Sequence, residues 1–587
     1  MKSLDPLTSR QKTIVIALSV AIGLTRLLAV ARSLFDWDEA LFVLGVRDYD
    51  VVYHHPHPPG YPLFMALAKA VHLIGVPEFR SLQAIVVLGA VALFPALFFL
   101  ARQIGFDFVT AVCGAGIYAF LPNVWVYGGT GFSDVPATAL GFAACALLLR
   151  GRTDRRAFVL GAIALGLAAG MRPPNLLIGA VPALLATWHQ RRAWKTVLLA
   201  ILLGGAIAAG SYLGAALASE SIDRYREAVR SQSKWVREVD SYHNPHRAPL
   251  HDLLEVFFLW PVRQQQQMVG LSLFAVISLL AAIAKRRAAP LLTLAIFLPF
   301  AVMAWLHLDV ETAARYAIPY MATHALLAAD GLGIISRRRM GLQAGLCAAV
   351  VAVFAVWTWP ALTLQRTRDS PPFAALDWIR RNARDGQRVY VNDGIAPLGQ
   401  VVLPDRPNTT FFQKPEEISP LTGEAWVLDL TVVRDAHNFV WPRTNPLWKI
   451  IRRRNFESSV ARASSRVVFG SGWHGDEGSF RWMAGESVTT LPALRGSGKL
   501  WMRIYVPNDA LPSPPTIEVR MNGATVERFI GSGTTIEKSW TVPSRQDAPN
   551  ELRIITSATV NPLALGTSPD GRDLGLRVDG LSWSPME

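Results

Sequence analysis

Apolar runs of about twenty residues, the length of helix that crosses a bilayer, recur through roughly the first 360 positions of this 587-residue chain and then stop. That feature divides the chain into a helical, membrane-embedded part and a soluble tail. Composition agrees, since 51% of the residues are hydrophobic and 17% charged, too oily for a single soluble globule of this length. Cys113, Cys145 and Cys347 all fall inside apolar runs, with neither a disulfide frame nor a Cys-x-x-Cys metal pair, and read as small core residues.

The first run, 13–32, follows Lys2, Arg10 and Lys12, the pattern of a cytoplasmic start. It is long and no small-residue cleavage site follows it, so it reads as a retained anchor. Further spans are predicted at 80–101, 106–127, 134–150, 158–170, 175–188, 195–218, 268–285, 290–307, 315–335 and 342–362, eleven in all. Arg102, the cluster Arg150, Arg152, Arg155 and Arg156, the group Arg191, Arg192 and Lys195, the run Lys285, Arg286 and Arg287, and the run Arg337, Arg338 and Arg339 then fall in every second loop, which makes those loops cytoplasmic. The net charge of +14 is thereby explained by topology, not by a nucleic-acid partner. The apolar segment 63–74 is expected to lie on or dip into the outer face, because counting it as a span would invert every later basic loop.

The stretch 35–62, directly after the first run, holds Asp36, Asp38 and Glu39, then His54, His55 and His57 interleaved with Pro56, Pro58 and Pro59. Ionisable groups clustered where a membrane helix delivers the chain to the surface are costly without a purpose. The prolines predict a stiff, extended segment that holds its histidines in place. This is the candidate active-site loop; the competing reading is an acidic, solvated surface loop. The other outer loops, 128–134, 171–175, 219–267 and 307–315, carry most of the remaining polar residues of this part. They include Asp134, Arg172, His243, His246 and Arg315.

An Asp-Glu pair just after the first helix (Asp38, Glu39), a His-Pro-Pro turn (His57, Pro58, Pro59) and an interfacial helix resemble the multi-spanning GT-C glycosyltransferases. Within that superfamily they are most similar to the protein mannosyltransferase and lipid A aminoarabinose transferase type. The eleven-span layout, Asp134 opening a later helix, and Arg315-Tyr316 followed by Pro319 fit the same pattern, so the resemblance covers about residues 10–362. Two features depart from the mannosyltransferases: Gly60-Tyr61-Pro62 stands where their lysine follows the His-Pro-Pro, and MIR-type repeats are not evident.

The resemblance implies transfer of a sugar from a polyprenyl-phosphate donor to an extracytoplasmic glycan, lipid or protein acceptor. Such a donor has an activated anomeric carbon and a good leaving group, so the enzyme chiefly needs a base for the acceptor hydroxyl. Asp38 matches the family's catalytic aspartate, with Glu39 and Asp36 as the other candidates. Arg315, Arg172 and Tyr316 are candidates for the donor phosphate, since guanidinium offers a forked, always-charged donor. The competing reading of both arginines is snorkelling to headgroups at helix ends. Asp134 reads equally as a helix cap or an acceptor contact. His55, His57, His243 and His246 are candidates for the acceptor or loop. The Asp36-x-Asp38 pattern and the two later histidines suit a divalent ion, but the resemblance implies that none is required. The loop 219–267, with Trp235, Phe257 and Trp260, is a candidate cover for the lipid.

The tail divides into a small α/β unit, 363–455, which opens with a helix and the strand-like RVYVND, and an all-β region, 456–587, of short alternating runs between Gly, Pro, Asn and Asp turns. The latter predicts a jelly-roll-like sandwich resembling carbohydrate-binding modules, with Trp473, Trp482 and Trp501 as sugar-stacking candidates. The domains expected are thus 1–362, catalytic with outer loop 35–79, and these two, both outside the plasma or inner membrane with the N-terminus inside. Two other classes fit an oily chain with a β tail: a transporter or flippase of lipid-linked sugars, which would place charges midway through its spans, and a membrane-anchored carbohydrate-binding protein, which needs far fewer spans.

Overall fold

Residues 6–259, 266–413, 425–432, 436–443, 447–462, 467–477, 480–494 and 496–585 are described by a computed structural model. Trp260 and residues 261–265, near the end of loop 219–267, lie outside these residues. Two compact units emerge, one formed by Met1–Ala374 with Trp441–Phe456, the other by Ala375–Val440 with Glu457–Glu587.

The first unit is helical. Ser9–Ala29, Glu78–Ile104, Trp194–Ala218, Ala288–His307 and Met340–Asn382 hold helix long and apolar enough to cross a membrane, and Phe108–Ala119, Val269–Lys285 and Met321–Ile335 are shorter apolar helices. Every span predicted from sequence overlaps helix, but two are broken. The run 106–127 splits into Phe108–Ala119 and Pro122–Tyr127, and 315–335 splits into Ala313–Tyr316 and Met321–Ile335. Pro122 and Pro319 explain the breaks, since proline lacks the amide that a continuing helix needs. The pieces support each other: Asn123 Nδ2 donates to the carbonyl of Ala314 at 2.8 Å, and Tyr118 Oη to that of Ile318 at 2.7 Å.

Close backbone approach requires glycine at two places. A Cβ on Gly89 would lie 2.4 Å from Pro136 Cα, where helices Glu78–Ile104 and Asp134–Arg150 pack, and one on Gly129 would lie 2.0 Å from the carbonyl oxygen of Ala29. The second contact seats the turn 128–131 against the end of the first helix, and Ala31 N donates to the Gly129 carbonyl at 2.9 Å. Cys113, Cys145 and Cys347 are buried and free.

The stretch after the first helix is more regular than a loop. Asp36 caps a helix, Trp37–Arg47, and the segment 63–74 forms Pro62–Leu73, with Pro62 at its first turn. Between them the His-Pro segment is turned, not extended: Asp50 and His55 exchange backbone hydrogen bonds at 2.8 and 2.9 Å, and His54 has φ 62°. In the later loop, Ser221 caps the helix Ile222–Trp235. Phe257 is fully buried and its carbonyl accepts from Tyr320 Oη at 2.6 Å, so this ring is core rather than cover, whereas Trp235 is exposed.

The segment Trp441–Phe456 comes from the tail sequence yet belongs to the helical unit. Trp441, Leu447, Ile450, Ile451 and Phe456 are buried, Trp441 Nε1 donates to the Asp369 carbonyl at 2.8 Å, and Tyr127 Oη to the Ile450 carbonyl at 3.1 Å.

In the second unit, Val389–Asn392 pairs in parallel with Thr409–Phe412 and Trp426–Asp429, the α/β pattern expected. The strand Glu457–Arg462, which the sequence places at the start of the all-β region, pairs instead with Trp426–Asp429 and His437–Val440. A six-residue run carries no signal of which sheet edge it will join. The rest of the region forms two five-stranded antiparallel sheets. Their inner faces share one core, with Leu500, Met502 and Ile504 from one sheet meeting Ile517, Val519, Leu552 and Ile554 from the other. Trp473, Trp482 and Trp501 are each half-buried; Trp473 Nε1 donates to Thr489 Oγ1 at 3.0 Å and Trp501 Nε1 to Glu537 at 2.9 Å.

Candidate functional site

The helix Trp37–Arg47 sorts the three carboxylates of its first turn. Asp36 is buried, and its Oδ1 accepts from the Asp38 amide at 3.1 Å as the cap. Glu39 is fully buried, with Oε2 accepting from Phe35 N at 3.0 Å and Oε1 from Gly131 N at 2.7 Å. Burial pushes its carboxyl up to about 8, against those two amides. Asp38 alone of the three keeps an open carboxylate, its side chain 22% exposed.

Glu39 therefore pins the loop to the turn 128–131. Above pH 8, where the carboxylate is ionised, Glu39→Gln keeps the shape but turns an NH2 toward one of two backbone N–H donors, so it is expected to destabilise the fold by about 1–3 kcal/mol, the penalty for an unpaired buried donor, and by less at neutral pH. Chemical denaturation of the variant in detergent checks this, and an unchanged midpoint would remove Glu39 as the pin.

Asp38 is the hub of a buried polar cluster. Its Oδ2 lies 2.8 Å from Arg315 Nη2 and its Oδ1 3.9 Å from His57 Nδ1. Burial alone would raise this carboxyl, but Arg315, with His57 and Arg452 adding, holds it well below the usual carboxylate range. His57 Nε2 shares a hydrogen bond with Tyr61 Oη at 2.7 Å. Burial pushes the imidazole down to about 4, with Asp38 opposing and Arg315 and Arg172 reinforcing, so the ring is neutral near pH 7. Tyr61 is placed by its left-handed backbone, φ 45°, at the start of Pro62–Leu73.

Two helix junctions deliver the cations. Arg172 ends the helix Arg155–Met171, and Arg315 lies in the short turn that Pro319 separates from the next helix. Arg172 Nη2 is 3.2 Å from Asp134 Oδ1 and its Nη1 donates to Ser133 Oγ at 3.3 Å, with the rings of Tyr61 and Tyr316 5.7 and 5.8 Å from the guanidinium. Arg315 sits 4.5 Å from the Phe132 ring centroid, donates to Tyr316 Oη at 3.2 Å and is 4% exposed. Both arginines are turned into the protein, 11% and 4% exposed, instead of outward as a snorkelling side chain is. Asp134 makes no side-chain cap; Ser133 holds the cap position, and the Asp134 carboxylate faces the arginines.

Three polar atoms of the cluster, Arg315 Nε, Asp134 Oδ2 and His57 Nδ1, are buried without a hydrogen-bond partner. Water or a ligand can complete each of them, as it can the unpartnered buried atoms elsewhere in the chain, among them those of Asn123, Asn175 and His324.

Three further residues that the sequence did not single out interact with Asp38 or with one another beside it. Arg452, carried in by the tail segment, has Nη2 2.9 Å from Asp309 Oδ2, and its charge is felt by Asp36 and Asp38. Asp240 is pushed up to about 6, chiefly by burial and then by Asp309. Asp309 stands two residues past a predicted span, a signal the sequence offered; Arg452 stands in an RRRN run within the tail and offered none.

Other candidates fall elsewhere. The ring of His55 neighbours Asp48 and Asp50, not Asp38. His243 and His246 are exposed, His243 packing on Tyr242 and sharing a hydrogen bond with Ser241 Oγ at 3.1 Å. Among the described residues no three His, Cys, Asp or Glu side chains converge in a metal-holding group.

No family model and no curated protein matches this sequence. Among solved structures, the chain is similar to ArnT from Cupriavidus metallidurans bound to undecaprenyl phosphate, at 12% identity over 77% of this chain and 98% of that one with a TM-score of 0.44. It is also similar to the Archaeoglobus fulgidus oligosaccharyltransferase in complex with zinc and sulfate, at 11% identity, 93% and 96% coverage and a TM-score of 0.44. A third is the arabinosyltransferase EmbB from Mycobacterium smegmatis, at 11% identity, 100% and 65% coverage and a TM-score of 0.39. All three are GT-C glycosyltransferases.

Proposed function

We propose that this chain is an integral membrane glycosyltransferase of the GT-C type that moves a sugar from a polyprenyl-phosphate donor to an extracytoplasmic acceptor, with eleven spans and the tail on the side of the active site. The observation that carries this reading is the cluster around Asp38: one open carboxylate set against two buried guanidiniums, with unpartnered polar atoms of Arg315, Asp134 and His57 turned into it.

The geometry supports the following roles. The donor phosphate docks between Arg315 and Arg172, whose fixed charges meet the charge that grows on it as the bond to the sugar breaks. An acceptor hydroxyl attacks the anomeric carbon as the phosphate departs with the bonding pair, and the hydroxyl proton passes to Asp38. Engagement of Arg315 by phosphate loosens its grip on Asp38, which raises the basicity of the carboxylate when the donor is in place. Neutral His57, held by Tyr61, orients the acceptor; Asp134 fixes the arginines. Arg452 and Asp309 line the acceptor side, so that the tail segment helps complete the site. No step of this reaction calls for a metal.

The test is turnover by purified protein on a panel of polyprenyl-phosphate sugars with envelope glycans and lipids as acceptors, read by mass spectrometry of the released lipid phosphate. Release of that phosphate with at least one donor, dependent on acceptor, is expected. Sugar carried across vesicle membranes without any release would favour a flippase instead.

A further inference from the structure

Away from Asp38, the helical unit contains a cleft of about 550 Å3 where three apolar helical segments end, lined by Leu27, Val30, Arg32, Arg80, Arg366 and Asp369. Its charge is three guanidiniums against one carboxylate. Arg80 is structural, with Nη1 donating to the Ala31 carbonyl at 2.9 Å and Nη2 to that of Arg32 at 3.1 Å. Arg32 is half exposed, its Nε 3.3 Å from Asp369 Oδ1 and its Nη1 donating to the Thr367 carbonyl at 3.2 Å, which leaves the rest of its guanidinium open. Arg366 is exposed and has no hydrogen-bond or ion-pair partner among the described residues. The cleft therefore offers unspent positive charge at the mouth of a helical bundle, where an anion is stabilised.

A second observation bears on what kind of anion. Ile16, Val20, Leu24 and Leu27 are each 58–64% exposed and, spaced by four, four and three, form one ridge along the first helix that ends in the cleft. An apolar ridge running into a cationic cleft is complementary to a molecule with a hydrocarbon chain and an anionic head.

We propose that this cleft binds an anionic phospholipid of the bilayer, its phosphate between Arg32 and Arg366 and its acyl chain along the Ile16–Leu27 ridge. The site is separate from the Asp38 cluster, and the proposal does not rest on glycosyl transfer. The floor of the cleft, Val30 to Arg32, leads directly into the chain that carries Asp36 and Asp38, and Gln83 Nε2 ties Ala31 to Gly129 beside the Glu39 pin through carbonyl contacts of 2.9 and 2.8 Å. A seated lipid thus stabilises the segment on which the catalytic loop hangs.

The experiment uses the full chain, stripped of lipid in detergent, with thermal unfolding followed as phosphatidylglycerol or phosphatidylcholine is titrated in mixed micelles. Phosphatidylglycerol is expected to raise the unfolding temperature and phosphatidylcholine not to. Arg366→Gln should shift the phosphatidylglycerol midpoint about fivefold and the double variant Arg32→Gln, Arg366→Gln about thirtyfold, from a factor of roughly five per surface arginine. Because Arg366 bonds to nothing described, the single variant keeps the test valid even if the double variant folds poorly. Equal response to both lipids, or an unshifted midpoint in Arg366→Gln, overturns the proposal. A millimolar inorganic phosphate arm separates the sources: an equal rise with phosphate alone would mean a free-anion site and overturn the lipid assignment.

Discussion

Asp38→Asn is expected to lower turnover by roughly two to four orders of magnitude, the contribution typical of a positioned general base. The amide keeps the size of the carboxylate and still accepts a hydrogen bond from Arg315, but it cannot take the acceptor's proton. Donor affinity should hold or tighten, because Arg315 loses the carboxylate that competes with phosphate for it. The loss therefore falls on the rate constant, the signature of an interaction used in the transition state. In the wild type the same pair predicts a pH dependence. Asp38 is held well below the usual range in the free protein, so the acid limb of kcat/KM should lie low; once phosphate draws on Arg315, the acid limb of kcat should sit at higher pH. Asp36→Asn should cost less, since that side chain caps a helix and is buried. Wild-type turnover by Asp38→Asn would end the assignment, and a dead Asp36→Asn beside an active Asp38→Asn would move the base by two residues.

Arg315→Lys is the second large effect, although the charge is retained. Arg315 reaches Asp38 with one nitrogen, faces Asp134 with another and lies over Phe132, a span that a compact ammonium cannot cover. Loss of a charge-assisted, two-pronged contact to phosphate is expected to weaken donor binding about 10- to 100-fold. The Asp38 carboxylate would also be less fully neutralised. Donor KM and a direct binding measurement on folded variant decide this; near-normal values in both would take Arg315 out of the phosphate site. Arg172→Lys, at a residue that faces Asp134 instead of Asp38, should weaken donor binding with less effect on the pH profile.

Much of this site was open to reading in one dimension. Asp38, His57, Asp134, Arg172 and Arg315 were all marked by position, each standing where an apolar run ends or begins, and the structure brings the five together. His55 was marked by the same proline-rich context, yet the Asp50–His55 backbone pairing turns its ring away, because proline spacing constrains the backbone without saying which side chain faces inward. His243 and His246 drew attention for their chemistry alone and lie on the surface.

The sequence by itself determined what depends on neighbours along the chain. Helix follows from runs of apolar residues, strands and turns in the tail follow from alternation and from Gly, Pro and Asn, and the breaks at Pro122 and Pro319 follow from a missing amide. The tertiary structure alone decided which of three adjacent carboxylates is open. Glu39 is closed off by the amide of Gly131, 92 residues away, and that contact depends on Gly129 letting the backbone approach Ala29. It alone also brought Arg452 out of the tail to Asp309, 143 residues apart. Such pairings are fixed by packing between elements distant in the chain, and a hydrophobic period, which repeats every two or every 3.6 residues, holds no record of the partner a side chain will meet.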